Sequence, residues 1–226
     1  MLNRGDGVNQ DLAEAVRWFR KSGEQTNSQA AWWLGYIYRT GQGVTKDPTQ
    51  AIKWYQRADA DFDAAQCCVG DNQTILINKF VHVYPSAQCC IGDMYYQGEG
   101  VVQDYEKAVE YYKKAAEFHY DGAQYRLGLA CAEGKGLSKD AAEAAKWYYK
   151  AASRGHRLAQ GKLGQAYAAG SGVGKDCVEA YKWEALAVAN GNTNAVQALT
   201  AVADQLTPDQ ISEAKRRVAE FIPAKP

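Results

Sequence analysis

Apolar and aromatic positions recur along this chain at a fixed interval rather than in blocks. Trp18 and Trp54 stand 36 residues apart, and Tyr111, Trp147 and Trp183 repeat the same spacing. Gly41-Gln42-Gly43-Val44, Gly98-Glu99-Gly100-Val101, Gly134-Lys135-Gly136-Leu137 and Gly170-Ser171-Gly172-Val173 are copies of one loop, with Gly5-Asp6-Gly7-Val8 as a fifth. An Asp follows each full loop: Asp47, Asp104, Asp140 and Asp176. Before the loops run Leu34-Gly35, Ile91-Gly92, Leu127-Gly128 and Leu163-Gly164, each four residues after an Ala. A period of this length marks an array in which every copy is one supersecondary unit.

Each copy reads as two helices. In the first, Ala30, Leu34 and Tyr38, and likewise Ala87, Ile91 and Tyr95, are four residues apart and share a stripe. Cys131 takes the aromatic place in the third full copy. The Gly beside the Leu costs about 1 kcal/mol of helix propensity, which predicts a close approach by a neighbouring helix. Gly-x-Gly stops the helix and allows positive φ, and the following Asp suits the cap of a second helix. That helix carries Ala51, Trp54, Tyr55 and Ala58 at helical spacing.

The frame Ala-Gln-x-x-Leu-Gly-x-x-Tyr, Gly-x-Gly-Val, Asp, Lys-Ala-x-x-Trp-Tyr-x-Lys-Ala-Ala resembles the Sel1-like repeat family. Residues 122–157 are a near-complete copy, through Ala123-Gln124, Leu127-Gly128, Trp147-Tyr148 and Lys150-Ala151-Ala152. The resemblance implies an all-α fold, a right-handed α/α superhelix of helix–turn–helix repeats related to tetratricopeptide arrays. It divides the chain into a partial repeat at 1–28, full repeats at 29–63, 86–121, 122–157 and 158–193, and capping helices at 194–226.

The array is expected to begin mid-repeat, leaving an apolar face around Val16, Trp18 and Phe19 in need of a cover. At the other end, a helix is expected over 195–205 and a charged one from Thr207, its cap, to about Phe221. The period breaks between Trp54 and Tyr111, which are 57 residues apart. Ala65-Gln66-Cys67-Cys68-Val69-Gly70-Asp71 returns as Ala87-Gln88-Cys89-Cys90-Ile91-Gly92-Asp93, so one helix start is written twice. Only the second copy continues into Met94-Tyr95-Tyr96-Gln97-Gly98, which places the repeat helix at 86–97 and a non-repeat insertion at 64–85. The β-branched and aromatic residues 74–84 read as a small hairpin turning at Asn78-Lys79, or as a looped-out segment on the array.

Composition narrows the function classes. Basic and acidic residues number 26 each, so no net charge favours nucleic acid or an anionic membrane. No apolar run approaches the roughly 20 residues that cross a bilayer. Residues 1–7 lack a secretory apolar segment, and the compartment, bacterial cytoplasm or periplasm, stays open. The vicinal pairs Cys67-Cys68 and Cys89-Cys90 do not match zinc spacing, and Cys131 and Cys177 fall in different repeats, so free thiols and no metal are expected. Residues 169–176 imitate a phosphate loop but occupy the place of the repeat turn. Of the histidines, His119 and His156 fall near the ends of second helices, where an imidazolium suits the dipole. Neither a nucleophile elbow nor a triad is present, so no catalysis and no cofactor are expected.

What remains is surface. Counting the Ala as position 1, positions 3, 7 and 10 of the first helices lie opposite the packing stripe. The resemblance implies that they line a concave groove. They read Trp32, Tyr36 and Arg39, then Cys89, Asp93 and Tyr96, then Tyr125, Leu129 and Ala132, then Gly161, Gln165 and Ala168. The aromatic members suit interaction hot spots, with Trp32, Tyr36, Tyr96 and Tyr125 as anchors, though a core role for them is equally open. The reading is an adaptor or scaffold that binds a protein or peptide, with self-association through the insertion or the N-terminal end as a further route. Two alternatives stay open: an envelope protein binding peptidoglycan or a β-lactam, implied by a cysteine-rich branch of the family, and a duplication variant with no new activity.

Overall fold

The computed structural model describes residues 12–25, 27–67 and 83–223. Eleven α-helices account for about three quarters of them: α1 Leu12–Gly23, α2 Ser28–Thr40, α3 Pro48–Cys67, α4 Val83–Gln97, α5 Tyr105–Glu117, α6 Asp121–Glu133, α7 Ala141–Ser153, α8 Arg157–Ala169, α9 Cys177–Ala189, α10 Ala195–Ala203 and α11 Pro208–Ala219. The all-α helix–turn–helix organisation read from the residues is therefore present. The helices gather into two compact units, residues 1–118 and 119–226.

One joint recurs inside both units. The first-helix Gly lies under the ring of a Tyr from the second helix of the same pair. A Cβ on Gly35 would lie 2.6 Å from Tyr55, on Gly92 2.5 Å from Tyr112, and on Gly128 2.5 Å from Tyr148. These tyrosines are buried, and Ala51, Ala108 and Ala144 beside them are almost fully enclosed. Small residues let the two backbones approach until the ring fills the space between them. In the first unit Leu34, Ile37, Ile52, Ile91 and Met94 complete the core, and in the second Leu163, Trp183 and Leu186 do. Burying each large side chain is worth about 1.5–3 kcal/mol.

The turn between paired helices repeats with the same care. The first loop glycine adopts the left-handed conformation at φ 77, 69, 72 and 70° in Gly41, Gly98, Gly134 and Gly170. The second does a different job as well. A Cβ on Gly100 would sit 2.5 Å from the Pro48 carbonyl carbon, and one on Gly172 would strike the Ala141 carbonyl. So each of these loops docks on the first turn of the preceding second helix. The Asp after the loop donates its backbone N–H across the turn to Tyr38, Tyr95, Cys131 or Tyr167. Its carboxylate then accepts from the first turn of the second helix, Asp47 from Gln50, Asp104 from Lys107, and Asp140 and Asp176 from two N–H groups each.

Several boundaries differ from those read in the sequence. Helix α3 has 20 residues where α5, α7 and α9 have 13. It runs through Ala64-Ala65-Gln66-Cys67, so the first copy of the duplicated start extends a second helix instead of opening a new one. Helix α4 begins at Val83, which makes Val83 and Tyr84 helical rather than the end of a hairpin. The rest of that hairpin, with the Asn78-Lys79 turn and His82, lies outside the described residues. Val16 is buried in the first core, while Trp18 is 58 % exposed with the Lys21 ammonium 5.7 Å from its ring centre. Phe19 stacks on Trp33 at 6.3 Å. Thr207 caps α11 through a full capping box with Gln210, as its sequence suits.

The joint generates a direct test. In Gly128→Ala the new methyl group meets Tyr148, and the overpacking, normally about 1–3 kcal/mol, exceeds the roughly 1 kcal/mol gained in helix propensity. Gly174→Ala adds a methyl with nothing within 4 Å. Urea denaturation should show a clear loss of stability for the first and almost none for the second.

Candidate functional site

In the first unit, neighbouring first helices α2 and α4 touch, and the expected surface residues Trp32, Tyr36, Arg39, Asp93 and Tyr96 all belong to them. Trp32 and Tyr36 stack at 5.9 Å with planes 9° apart, as residues four apart on one helix face can. Trp32 also lies edge-on to Tyr55, 6.4 Å away, so its inner side belongs to the core. Tyr36 is half-buried, as is Tyr96, which lies edge-on to Tyr105 at 5.0 Å.

Arg39 ties the two helices together. Its Nε donates to Glu99 at 2.8 Å, and a second nitrogen donates to the Gln97 side chain at 3.3 Å. Lys46 approaches the same carboxylate at 3.2 Å. Burial alone would raise the Glu99 carboxyl, but the hydrogen bonds and charges of Arg39 and Lys46 outweigh it and hold the group below its ordinary value. Asp93 accepts the Tyr112 hydroxyl at 2.8 Å. Burial, reinforced by the neighbouring Cys90 thiol, pushes the Tyr55 phenol well up, so it stays a neutral donor. The charges on this face are thus largely matched within the protein. Glu99 was not among the residues picked out by pattern, since the middle position of the Gly-x-Gly loop reads Gln42, Glu99, Lys135 and Ser171 and carries no periodic signal.

In the second unit, Tyr125 occupies the place equivalent to Trp32 but is turned into the core. It is 9 % exposed, packs against Tyr148 and stacks on His156 at 4.8 Å, which removes it as an exposed anchor. Leu129 is half-buried against the same core, and Gln165 is exposed on α8. Ala132 is half-buried, and Gly161 is buried. His156 also departs from expectation. It does not answer the dipole at the end of α7 but caps the start of α8, where Nδ1 accepts the Ala159 N–H at 3.2 Å. That role needs a neutral ring, and burial lowers its pKa accordingly. A trough of about 530 Å³ between α7 and α8 is lined by Ala145, Tyr149, Leu163, Tyr167 and Val173, with Lys146 and Lys150 among its other residues.

Among the described residues candidate chemistry does not assemble elsewhere. Cys89 and Cys131 are buried, and Cys90 and Cys177 are half-buried. Among the described residues no group of three or more His, Cys, Asp or Glu is placed to hold a metal ion. Residues 169–176 form a repeat turn in which Gly170 closes α8 and Asp176 caps α9. No described helix is long and apolar enough to cross a membrane.

Comparison with known proteins agrees with this geometry. The Sel1 repeat family matches at residues 1–27, 28–58, 85–117, 122–156 and 157–192. A Sel1 repeat protein from Oxalobacter formigenes is similar in structure, with a TM-score of 0.76 and 33 % identity over 96 % of this chain and 81 % of that one. A protective antigen present in uropathogenic Escherichia coli strains, c5321, displays an SLR fold and is similar with a TM-score of 0.52 and 26 % identity. That match covers 98 % of this chain and 59 % of the antigen. No curated protein matches the chain. Recurring glycine–tyrosine joints, capped Gly-x-Gly turns and five matched repeats lead to one assignment: the chain belongs to the Sel1 repeat family.

Proposed function

We propose that this Sel1 repeat protein is a non-enzymatic interaction scaffold, and that the α2–α4 face of its first unit binds an extended peptide. Sel1 repeats commonly serve as protein-interaction scaffolds. The observation that carries the finer reading is the pair Tyr36 and Tyr96, half-buried on touching first helices whose spacing is held by the Arg39–Glu99 ion pair. Partly exposed tyrosines on a rigid frame offer large contact area at small entropic cost. Because Arg39 is engaged by Glu99 and Asp93 by Tyr112, the face favours a peptide of low charge with aliphatic or aromatic anchors and free backbone groups. Trp32 stacks on Tyr36 along α2, while Leu129 and Gln165 are left out of this face.

Peptides selected from a random displayed library on the purified chain should bind Tyr36→Ala/Tyr96→Ala at least thirtyfold more weakly, the loss expected for hot-spot residues. Far-UV circular dichroism should be unchanged. Unaltered affinity, or failure to select any peptide, would reject the face. The ion pair gives a separate outcome. Since Glu99 titrates below its ordinary value of 4.5, its contribution is present above that pH and lost as pH falls through the folded value. Glu99→Gln should lower stability near pH 7 by about 1 kcal/mol. Melting curves should show that gap closing as pH drops below the ordinary carboxylate range.

A further inference from the structure

The last complete repeat breaks the joint that holds the others. At the place of Tyr55, Tyr112 and Tyr148 it has Glu184, and at the place of Trp32, Cys89 and Tyr125 it has Gly161, with no side chain. Both changes fall on one spot. A Cβ on Gly164 would lie 2.7 Å from Glu184 Cγ and 2.9 Å from Oε1, so the carboxyl is pressed against α8 where a tyrosine ring would lie. Gly161 is covered by Asn192, whose amide nitrogen donates to the Arg157 carbonyl at 3.3 Å. Glu184 is fully enclosed, and neither carboxyl oxygen has a hydrogen-bond partner.

An ionised carboxylate in such a place is strongly disfavoured, whereas the neutral acid is tolerated. We propose that Glu184 is a proton-operated latch on the second unit, closed while the side chain is the neutral acid and released as α8 and α9 part and the proton is lost. Burial pushes the carboxyl up to about 7, with the Lys162 ammonium opposing it. The other ionisable groups on elements packed against α9 are Arg157 and Tyr167 on α8 and Asp209, Glu213, Lys215, Arg216 and Arg217 on α11, with none on α10. Arg217 is bound by Glu179 and Glu213, and Arg216 by Glu213 and Glu220, which leaves these guanidinium groups committed away from Glu184.

Proton linkage couples opening to pH. The closed form holds the proton up to about pH 7, while an opened Glu184 releases it near its ordinary value of 4.5. Opening is therefore suppressed below that value, rises about tenfold per pH unit between the two, and levels off above the higher one. The total is on the order of a hundredfold. His156 in the same unit acts in the opposite sense, because burial lowers its pKa and the closed form gains stability as pH rises through the ordinary histidine range. Only a comparison with a variant that keeps His156 isolates the latch.

Native-state hydrogen exchange of the whole chain, from pH 4.5 to 8, provides the test. The ratio of α8–α9 opening constants, wild type over Glu184→Gln, should climb about a hundredfold across that range, with no such trend in α2 and α3. Glu184→Met, which also lacks the ionisable group, should behave like Glu184→Gln and serves if the amide disturbs packing. Carbon-detected titration of the Glu184 carboxyl should give a midpoint near 7. A pH-independent exchange ratio, or a midpoint in the ordinary carboxylate range, would overturn the latch.

Discussion

Everything in this molecule depends on how closely two helices can approach when one of them offers a glycine. The ring of Tyr55, Tyr112 or Tyr148 lies where a Cβ on Gly35, Gly92 or Gly128 would be. That contact sets the distance within each pair. The distance in turn lets the flanking alanines reach full burial, although an alanine alone contributes little apolar area. The helix-propensity cost of the glycine is small against the burial of a whole tyrosine ring beside it. Packing density, rather than the number of large apolar residues, is what stabilises each pair.

Much of this was legible from residue spacing, because the joint needs the same residue types at the same positions in each copy. The Leu-Gly pair, the Gly-x-Gly turn and the capping Asp could be placed by register alone. What register could not reveal was side-chain direction. Trp32 and Tyr125 are equivalent by position, yet Trp32 stacks along α2 on Tyr36 while Tyr125 turns inward onto His156. The partner of Arg39 was hidden for a related reason. Glu99 belongs to a loop residue that varies from copy to copy, so only folding brings it within 2.8 Å. The duplicated Ala-Gln-Cys-Cys start misled about boundaries, since a helix already running from Pro48 absorbs its first residues without needing the Leu-Gly contact.

Glu184, by contrast, was open to detection. Aligning Tyr55, Tyr112, Tyr148 and Glu184 in one column exposes the exception, and Gly161 in the same repeat leaves the column of Trp32, Cys89 and Tyr125 without a side chain. A carboxyl that replaces a core aromatic must either find a partner or stay protonated. Its surroundings supply none, and the cost is concentrated in the repeat whose outer neighbour is the capping pair α10 and α11 rather than another full copy.

That placement matters physically. In a quasi-one-dimensional array each pair is held by its own joint and by its neighbours, so a weak joint can open locally without dissolving the rest. The first unit takes the other course. There Arg39, Glu99 and Lys46 link α2 and α4, and the ion pair is more than four-fifths shielded on the Glu99 side. A binding face on that frame keeps its shape because the charges that fix it are satisfied within the protein, which leaves the half-buried tyrosines as the groups with most to gain from a ligand. The same repeat can therefore be tuned toward rigidity or toward release by changing one residue at the joint or one at the turn, with the backbone plan left as it is.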